Sequence, residues 1–269
     1  MSSPPIPHGL HFVANSPVRG LAVAERRVEH PEATVICIHG GLDRGGSFAR
    51  LARRIDRFDL VTYDRRGYQA SRELQPLGLA NHVGDLIALA HHEENGRPII
   101  LFGHSFGGVV ALAAAINDPS LARLVITYEA PLPWILQRSG TATPLGNDPA
   151  LEAEKFFRRV VSDGAWERLS ELERDSRRRD GPALFDDIAP LRARTPMFDL
   201  AALTTPAVYV YGDVLAPEFY QQLAAELASI NPIIRSRQVR NAAHGAHLSI
   251  PDQLAALITE LWDDTCASA

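Results

Sequence analysis

The chain reads as an α/β protein built on a mostly parallel, doubly wound sheet, and three observations predict it. Short apolar or β-branched runs alternate with stretches of helical periodicity, the pattern of βα units. Those runs are nearly continuous rather than alternating, as expected of strands covered on both faces. At 269 residues and 46% hydrophobic, the chain is long enough for one large domain, or a domain with an insertion, and needs neither disulfide nor metal to fold.

Taken in order, Thr34-Val35-Ile36-Cys37-Ile38 is the first core strand. A glycine-rich turn follows. Phe48, Leu51, Ala52 and Ile55 then recur at helical spacing, with Ser47 placed to cap. Leu60-Val61-Thr62-Tyr63 is a second strand, and Val83, Leu86, Ile87 and Ala90 mark the inner face of the next helix. Ile99-Ile100-Leu101-Phe102 runs straight into an Ala-rich helix around Val109 to Ile116, and Leu124-Val125-Ile126-Thr127-Tyr128 is the fourth strand. The rhythm breaks over residues 131–200. That segment is Pro-rich at both ends and carries two charged helical stretches, Glu152 to Val161 and Trp166 to Arg179. Their dense charge reads as solvated faces. The segment is too long for a loop, so an inserted helical cap is expected, with 1–130 and 201–269 forming the core. Strands resume at Ala207-Val208-Tyr209-Val210-Tyr211 and near Ile233 to Val239. A closing helix begins at Pro251 and buries Leu254, Leu257, Ile258 and Leu261.

Composition removes several function classes. A net charge of −5 argues against a nucleic-acid groove or a polybasic membrane patch. No run of 18 apolar residues occurs, and Met1 to Gly9 lacks the apolar stretch of a secretory signal. Cys37 and Cys266 make no disulfide framework. A soluble, cytoplasmic protein without membrane or nucleic-acid partners is the expectation. Lys155 is the only lysine, so a Walker loop is absent, and a pyridoxal Schiff base would have to fall on an ordinary amphipathic helix.

The chemistry centres on Gly103-His104-Ser105-Phe106-Gly107-Gly108. Gly-x-Ser-x-Gly alone is weak, and its position between a core strand and an Ala-rich helix is what counts. Such a turn exposes the serine hydroxyl at the carboxyl end of a central strand, with a helix N-terminus behind it to favour developing negative charge. A serine needs a base to take its proton. His91 and His92 fall on the outer face of a helix, and His39 is expected to brace the Gly40-Gly41 turn. His244 follows the last strand, in Asn241-Ala242-Ala243-His244, on a loop that returns to the sheet edge where Ser105 lies. His247 makes a His-x-x-His pair with it, but the loop offers no further ligand, so no metal is expected. The amides of Gly41 and Phe106 are the candidate oxyanion donors.

Together, His39-Gly40-Gly41, Asp64-Arg65-Arg66-Gly67-Tyr68, Gly103-His104-Ser105-Phe106-Gly107-Gly108, and His244 followed by Pro251 resemble the α/β-hydrolase superfamily over nearly the whole chain. The resemblance implies Ser105 as nucleophile, His244 as general base and a cap over the pocket, with no cofactor. One departure concerns turn shape, where Gln69 stands in place of a frequent glycine. The other concerns the acid. In this fold it usually follows the strand ending at Tyr211, as Gly-x-x-Asp, but here Gly212-Asp213-Val214-Leu215 puts the carboxylate two residues early. Glu129, just after the preceding strand, is the preferred triad acid and Asp213 the runner-up. Leu42, His104, Trp134 and Phe157 are expected to line the pocket.

The expected function is hydrolysis of an ester, thioester or lactone of a small to medium apolar substrate through an acyl-enzyme. A serine at position 105 excludes the aspartate-based haloalkane dehalogenase and epoxide hydrolase chemistries. The alternative is a small-molecule binding or signalling protein on the same fold with little turnover. A dinucleotide-dependent oxidoreductase is excluded because Gly40-Gly41-Leu42-Asp43 stands where Gly-x-Gly-x-x-Gly would be needed.

Overall fold

The computed structural model describes residues 9–94, 96–137 and 145–267. Among them, one sheet of eight strands forms: β1 His11–Phe12, β2 Val23–Arg26, β3 Ala33–Ile38, β4 Phe58–Tyr63, β5 Ile99–His104, β6 Leu124–Tyr128, β7 Ala207–Gly212 and β8 Ile234–Val239. The spatial order is β1-β2-β4-β3-β5-β6-β7-β8. Strands β3 to β8 run parallel, while β1 and β2 are antiparallel additions at one edge. The chain starts its parallel sheet in the middle, with β4 on one side of β3 and β5 on the other. That reversal of winding opens a crevice at the carboxyl ends of β3 and β5, where α/β sheets bind ligands.

The helices are α1 Ala49–Ala52, α2 Leu79–Glu94, α3 Phe106–Asn117, α4 Pro149–Val160, α5 Asp163–Arg168, α6 Glu171–Arg179, α7 Gly181–Ala193, α8 Pro217–Ile230, α9 Ala246–Ser249 and α10 Pro251–Ala267. Alternation along each strand divides the core into two layers. Ile36, Ile38, Leu101 and Val125 face α2, α3 and α8. Val35, Cys37, Phe102 and Ile126 face α1 and α10, where Leu254, Leu257, Ile258 and Leu261 are buried as expected. Helix α3 is apolar nearly all round because it sits in the central layer, with Phe106 to Ala115 buried throughout.

Three features differ from the sequence reading. The β1–β2 edge was not foreseen, because two and four residues with half-exposed polar positions carry no readable periodicity. Ser47 does not cap a helix. It lies inside a 3₁₀ turn, Gly45–Phe48, that precedes α1, and its hydroxyl donates to the carboxylate of Asp43. The stretch from Trp166 to Arg179 is two helices. Ser170 breaks it and caps α6 in a capping box with Glu173. Between β6 and β7 the described residues thus carry four helices, α4 to α7. A third apolar cluster, built on Leu42, Tyr68, Phe157, Trp166 and Leu184, packs them onto the loops after β3 and β4.

Candidate active site

Strand β5 delivers Ser105 to the sheet edge in a conformation with φ 53° and ψ −125°, and α3 begins at the next residue. This strained backbone is over-determined by its neighbours. The Ser105 amide donates to the Tyr128 carbonyl (2.8 Å), and its carbonyl accepts from the Gly108 amide (2.8 Å). A Cβ on Gly107 would collide with the Ile38 carbonyl, and one on Gly40 would stand 2.8 Å from the Ser105 Cβ. Glycine at both positions is therefore a packing requirement, and it lets the loop after β3 lie directly against the serine. As the first residue of α3, Phe106 has an amide with no partner inside the helix.

Glu129 follows β6 with a positive φ of 48° and a fully buried side chain. Its Oε2 lies 2.7 Å from His244 Nδ1, and its Oε1 accepts from the Gly212 amide (3.1 Å). An ionised carboxylate only accepts, so Nδ1 carries the imidazole proton and Nε2 is left with its lone pair. The His244 loop is tied down along its backbone. Tyr128 Oη donates to the Ala243 carbonyl (2.9 Å), His104 Nε2 to the His244 carbonyl (2.8 Å), and the Val214 amide to the Ala242 carbonyl (3.1 Å). Asp213 accepts from the Ala242 amide (3.3 Å), so this carboxylate holds the loop's backbone while Glu129 meets the imidazole.

Ser105, His244, Glu129, Gly41 and Phe106 all line one cavity of about 600 Å³. The rest of its wall is mostly aliphatic and aromatic, with Leu132, Leu136, Phe156, Ile188, Leu191 and Phe219 prominent. None of the four expected pocket residues lies in that wall. Leu42 and Phe157 are buried in the cluster that joins the inserted helices to the core, with Phe157 edge-on to Trp166. Trp134 packs edge-on against Phe198. His104 is turned beneath the turn, against His244 and His247.

Two buried polar groups frame the site. His39 braces the turn as expected: its Nε2 accepts from the Arg65 amide (2.8 Å), which leaves Nδ1–H to donate to the Gly40 carbonyl (2.7 Å). Burial and then the nearby Arg65 charge push the imidazole down to about 3, so it stays neutral. Fully buried Arg65 donates to the His39 carbonyl (2.9 Å) and forms a bidentate pair with Asp187 of α7 (3.0 and 2.6 Å), whose carboxylate also accepts from Tyr68 Oη (2.6 Å). Burial alone would raise the Asp187 carboxyl, but the charge of Arg65 together with hydrogen bonds from His82 and Arg65 holds the group below the usual carboxylate range. The departure at Gln69 is accommodated in the same region. Its φ is 44°, a left-handed turn that glycine enters more easily, and Asp180 holds it by its amide (3.2 Å) and side chain (2.6 Å).

The carboxylate missing from the His244 loop is supplied by another loop, but to His247. Asp43 lies 3.2 Å from His247 Nε2 and 3.9 Å from His104 Nδ1. These three side chains are a group that could hold a metal ion, with candidate ligand atoms within 4.8 Å of one another. Burial tends to raise the Asp43 carboxyl, yet hydrogen bonding to His247 and that ring's charge leave it below its ordinary range. The three side chains lie together behind the site. Sequence spacing could not find it because 204 positions separate Asp43 from His247.

A strand-turn-helix serine, a carboxylate–imidazole pair and a glycine loop at the carboxyl edge of a parallel sheet define the α/β-hydrolase class. The comparisons agree: residues 35–257 match the model of the alpha/beta hydrolase family, and the chain belongs to that family. It is 29% identical over 248 residues to the pimeloyl-[acyl-carrier protein] methyl ester esterase of Stenotrophomonas maltophilia, spanning 83% of this chain and 90% of that one. It is 34% identical over 95 residues to the lipase LipV of Mycobacterium tuberculosis, a match spanning 35% of this chain and only about a third of the length of that relative (36%). The structure of a lipase-esterase related protein from Clostridium acetobutylicum superposes with a TM-score of 0.66 at 13% identity, covering 90% of this chain and 99% of that one, a likeness of fold. No helix of the described residues is long and apolar enough to cross a membrane.

Proposed function

We propose that the protein is a serine hydrolase that cleaves an ester, thioester or lactone of a small to medium, largely apolar substrate through an acyl-enzyme. The observation that carries this reading is the 2.7 Å contact between Glu129 and His244 in a cavity shared with Ser105. His244 Nε2 takes the hydroxyl proton as Ser105 Oγ attacks the carbonyl carbon. The oxyanion is held by the Gly41 and Phe106 amides, with the N-terminal end of α3 behind them. The imidazolium returns its proton to the leaving alcohol or thiol, and the acyl group stays on Ser105. Water then repeats the cycle, its proton going to His244 and then to Ser105 as the acid leaves. Glu129 keeps the imidazole in the right tautomer and stabilises its charged form. Residues 131–200 serve as a cap over a core of 1–130 and 201–269. Both named relatives, an esterase and a lipase, support ester cleavage. Cysteine usage suggests a cytoplasmic setting.

The test is intact-mass spectrometry after treatment with a fluorophosphonate, followed by peptide mapping. A single adduct on Ser105 that disappears in His244→Ala is the expected result. A folded protein that takes no adduct and hydrolyses no ester overturns the reading and favours a binding role.

A further inference from the structure

We propose that Arg159 and Arg194 form a subsite for an anion in the cavity that holds Ser105, so that the substrate carries a carboxylate or phosphate-like group besides its scissile bond. This rests on the ester-hydrolase reading and names the substrate class within it.

Three arginines of the inserted helices are matched to carboxylates. Arg158 is paired with Glu154, Asp163 and Glu167, Arg174 with Glu167 and Glu171, and Arg178 with Glu154, Glu171 and Asp175. Arg159 of α4 and Arg194, just beyond α7, line the cavity. Among the described residues, no carboxylate pairs with Arg159 within salt-bridge distance. Its guanidinium lies over the ring of Phe156, 5.5 Å from the centroid. Among the described residues, the side-chain acceptor of Arg194 is a neutral one, Gln137 Oε1 at 2.6 Å.

The carboxylates in the wall cannot neutralise this group. Glu129 is taken by His244 and the Gly212 amide, and Asp187 by Arg65 and Tyr68. Burial first, and then the nearby charge of Arg192, lower the proton affinity of Arg159, while Glu152 opposes them. Glu152 itself is engaged by Lys155 at 2.9 Å. Like charges gathered on one wall are unfavourable until an anion arrives, and planar guanidinium groups suit carboxylate and phosphate. The aliphatic lining of the same cavity suits an alkyl chain.

The test compares methyl esters of simple alkanoic acids with two charged series of equal chain length, monomethyl esters of dicarboxylic acids and methyl esters of ω-phosphonoalkanoic acids. A third pair places the carboxylate on the alcohol side. At least one charged series should exceed its uncharged counterpart in kcat/KM by about tenfold or more, since a hydrogen bond to a charged group contributes about that much. The preferred series identifies the anion. The charged-to-uncharged ratio should fall toward one in Arg159→Gln and at 0.5 M salt, and stay put in Arg168→Gln, on an exposed turn of α5. Uncharged esters that match or beat their charged counterparts in every series overturn the proposal while leaving the hydrolase reading intact. If no ester is turned over, that reading fails instead. Calorimetric binding of the charged esters to Ser105→Ala, against binding to Ser105→Ala/Arg159→Gln, then decides the subsite alone.

Discussion

On the sheet side of the cavity, Ser105, Glu129 and His244 are held by the backbone. Carbonyls and amides of neighbouring strand ends fix each loop, two of the three residues sit at positive φ, and only glycine fits at 40 and 107 beside the serine turn. On the helical side the same cavity is walled by α4 and α7, which reach the core through an apolar cluster, the buried ion pair Arg65–Asp187, and the contacts of Asp180, at the start of α7, with Arg72 and Gln69. The first side is specified by sterics and by short-range, mostly backbone hydrogen bonds. The second is specified by charge and by which face of an amphipathic helix docks. A cavity built this way can keep its reacting atoms in register while its far wall varies to suit a substrate.

The largest expected effect breaks the symmetry between two carboxylates of the sheet side. Glu129→Gln keeps the shape but removes the acceptor that orients His244, and kcat should fall by about 10⁴. Asp213→Asn should cost less than about tenfold, because an amide oxygen still accepts from the Ala242 amide. Both are read by steady-state ester hydrolysis and by the rate of fluorophosphonate labelling. A collapse in Asp213→Asn beside a healthy Glu129→Gln would move the acid to the loop after β7.

How much of this was legible in the sequence follows the same division. The parallel strands and the turn around Ser105 are local, because a β-branched run or a glycine beside a sharp turn carries its reason within a few residues. Glu129 could be named because it directly follows a readable strand. The cavity wall could not. Phe156 and Phe157 are neighbours in α4, yet a helix rotates each residue by about 100° from the last, so Phe156 faces the cavity and Phe157 faces Trp166. Only the docked helix decides between them. The arginine-rich stretch read as a solvated face, and for Arg158 and Arg178 this describes partly exposed pairs well, but the same reading hid Arg159. Arg65 and Asp187 stand 122 positions apart, beyond any spacing argument.

The next effect concerns the tie between the two sides. Asp187→Asn leaves the guanidinium of Arg65 buried without a counter-charge, and breaking such a pair costs about 3–5 kcal/mol. Urea unfolding at pH 7 should show that loss. The carboxyl of Asp187 is held below its unfolded value, so its stabilisation is complete above about pH 4 and is lost as pH falls through the lower, folded value. The gap between wild type and Asp187→Asn should stay constant from pH 8 to pH 5 and close only in stronger acid. A gap under about 1 kcal/mol at pH 7 would mean that the apolar cluster and the Asp180 contacts suffice to attach the inserted helices.

The smallest effect qualifies the contrast, since the sheet side has a titrating weakness of its own. His39 is held neutral, down to about 3, first by burial and then by Arg65, and burial likewise lowers His82 and His104. Unfolded imidazoles take up a proton below about pH 6.5. Below that pH the unfolded state binds more protons than the folded one, so stability rises with pH and falls on acidification. His39 alone should remove about 2 kcal/mol between pH 7 and pH 5, a window in which Asp187 contributes no change. Urea midpoints at pH 7, 6 and 5 measure the sum. Amide exchange at Gly40 and Gly41 shows whether the loss starts in the loop after β3. Midpoints that stay level across that window would mean that His39 picks up a proton in the folded protein, at the expense of its bond with the Arg65 amide. The backbone-held side would then be the more adaptable of the two.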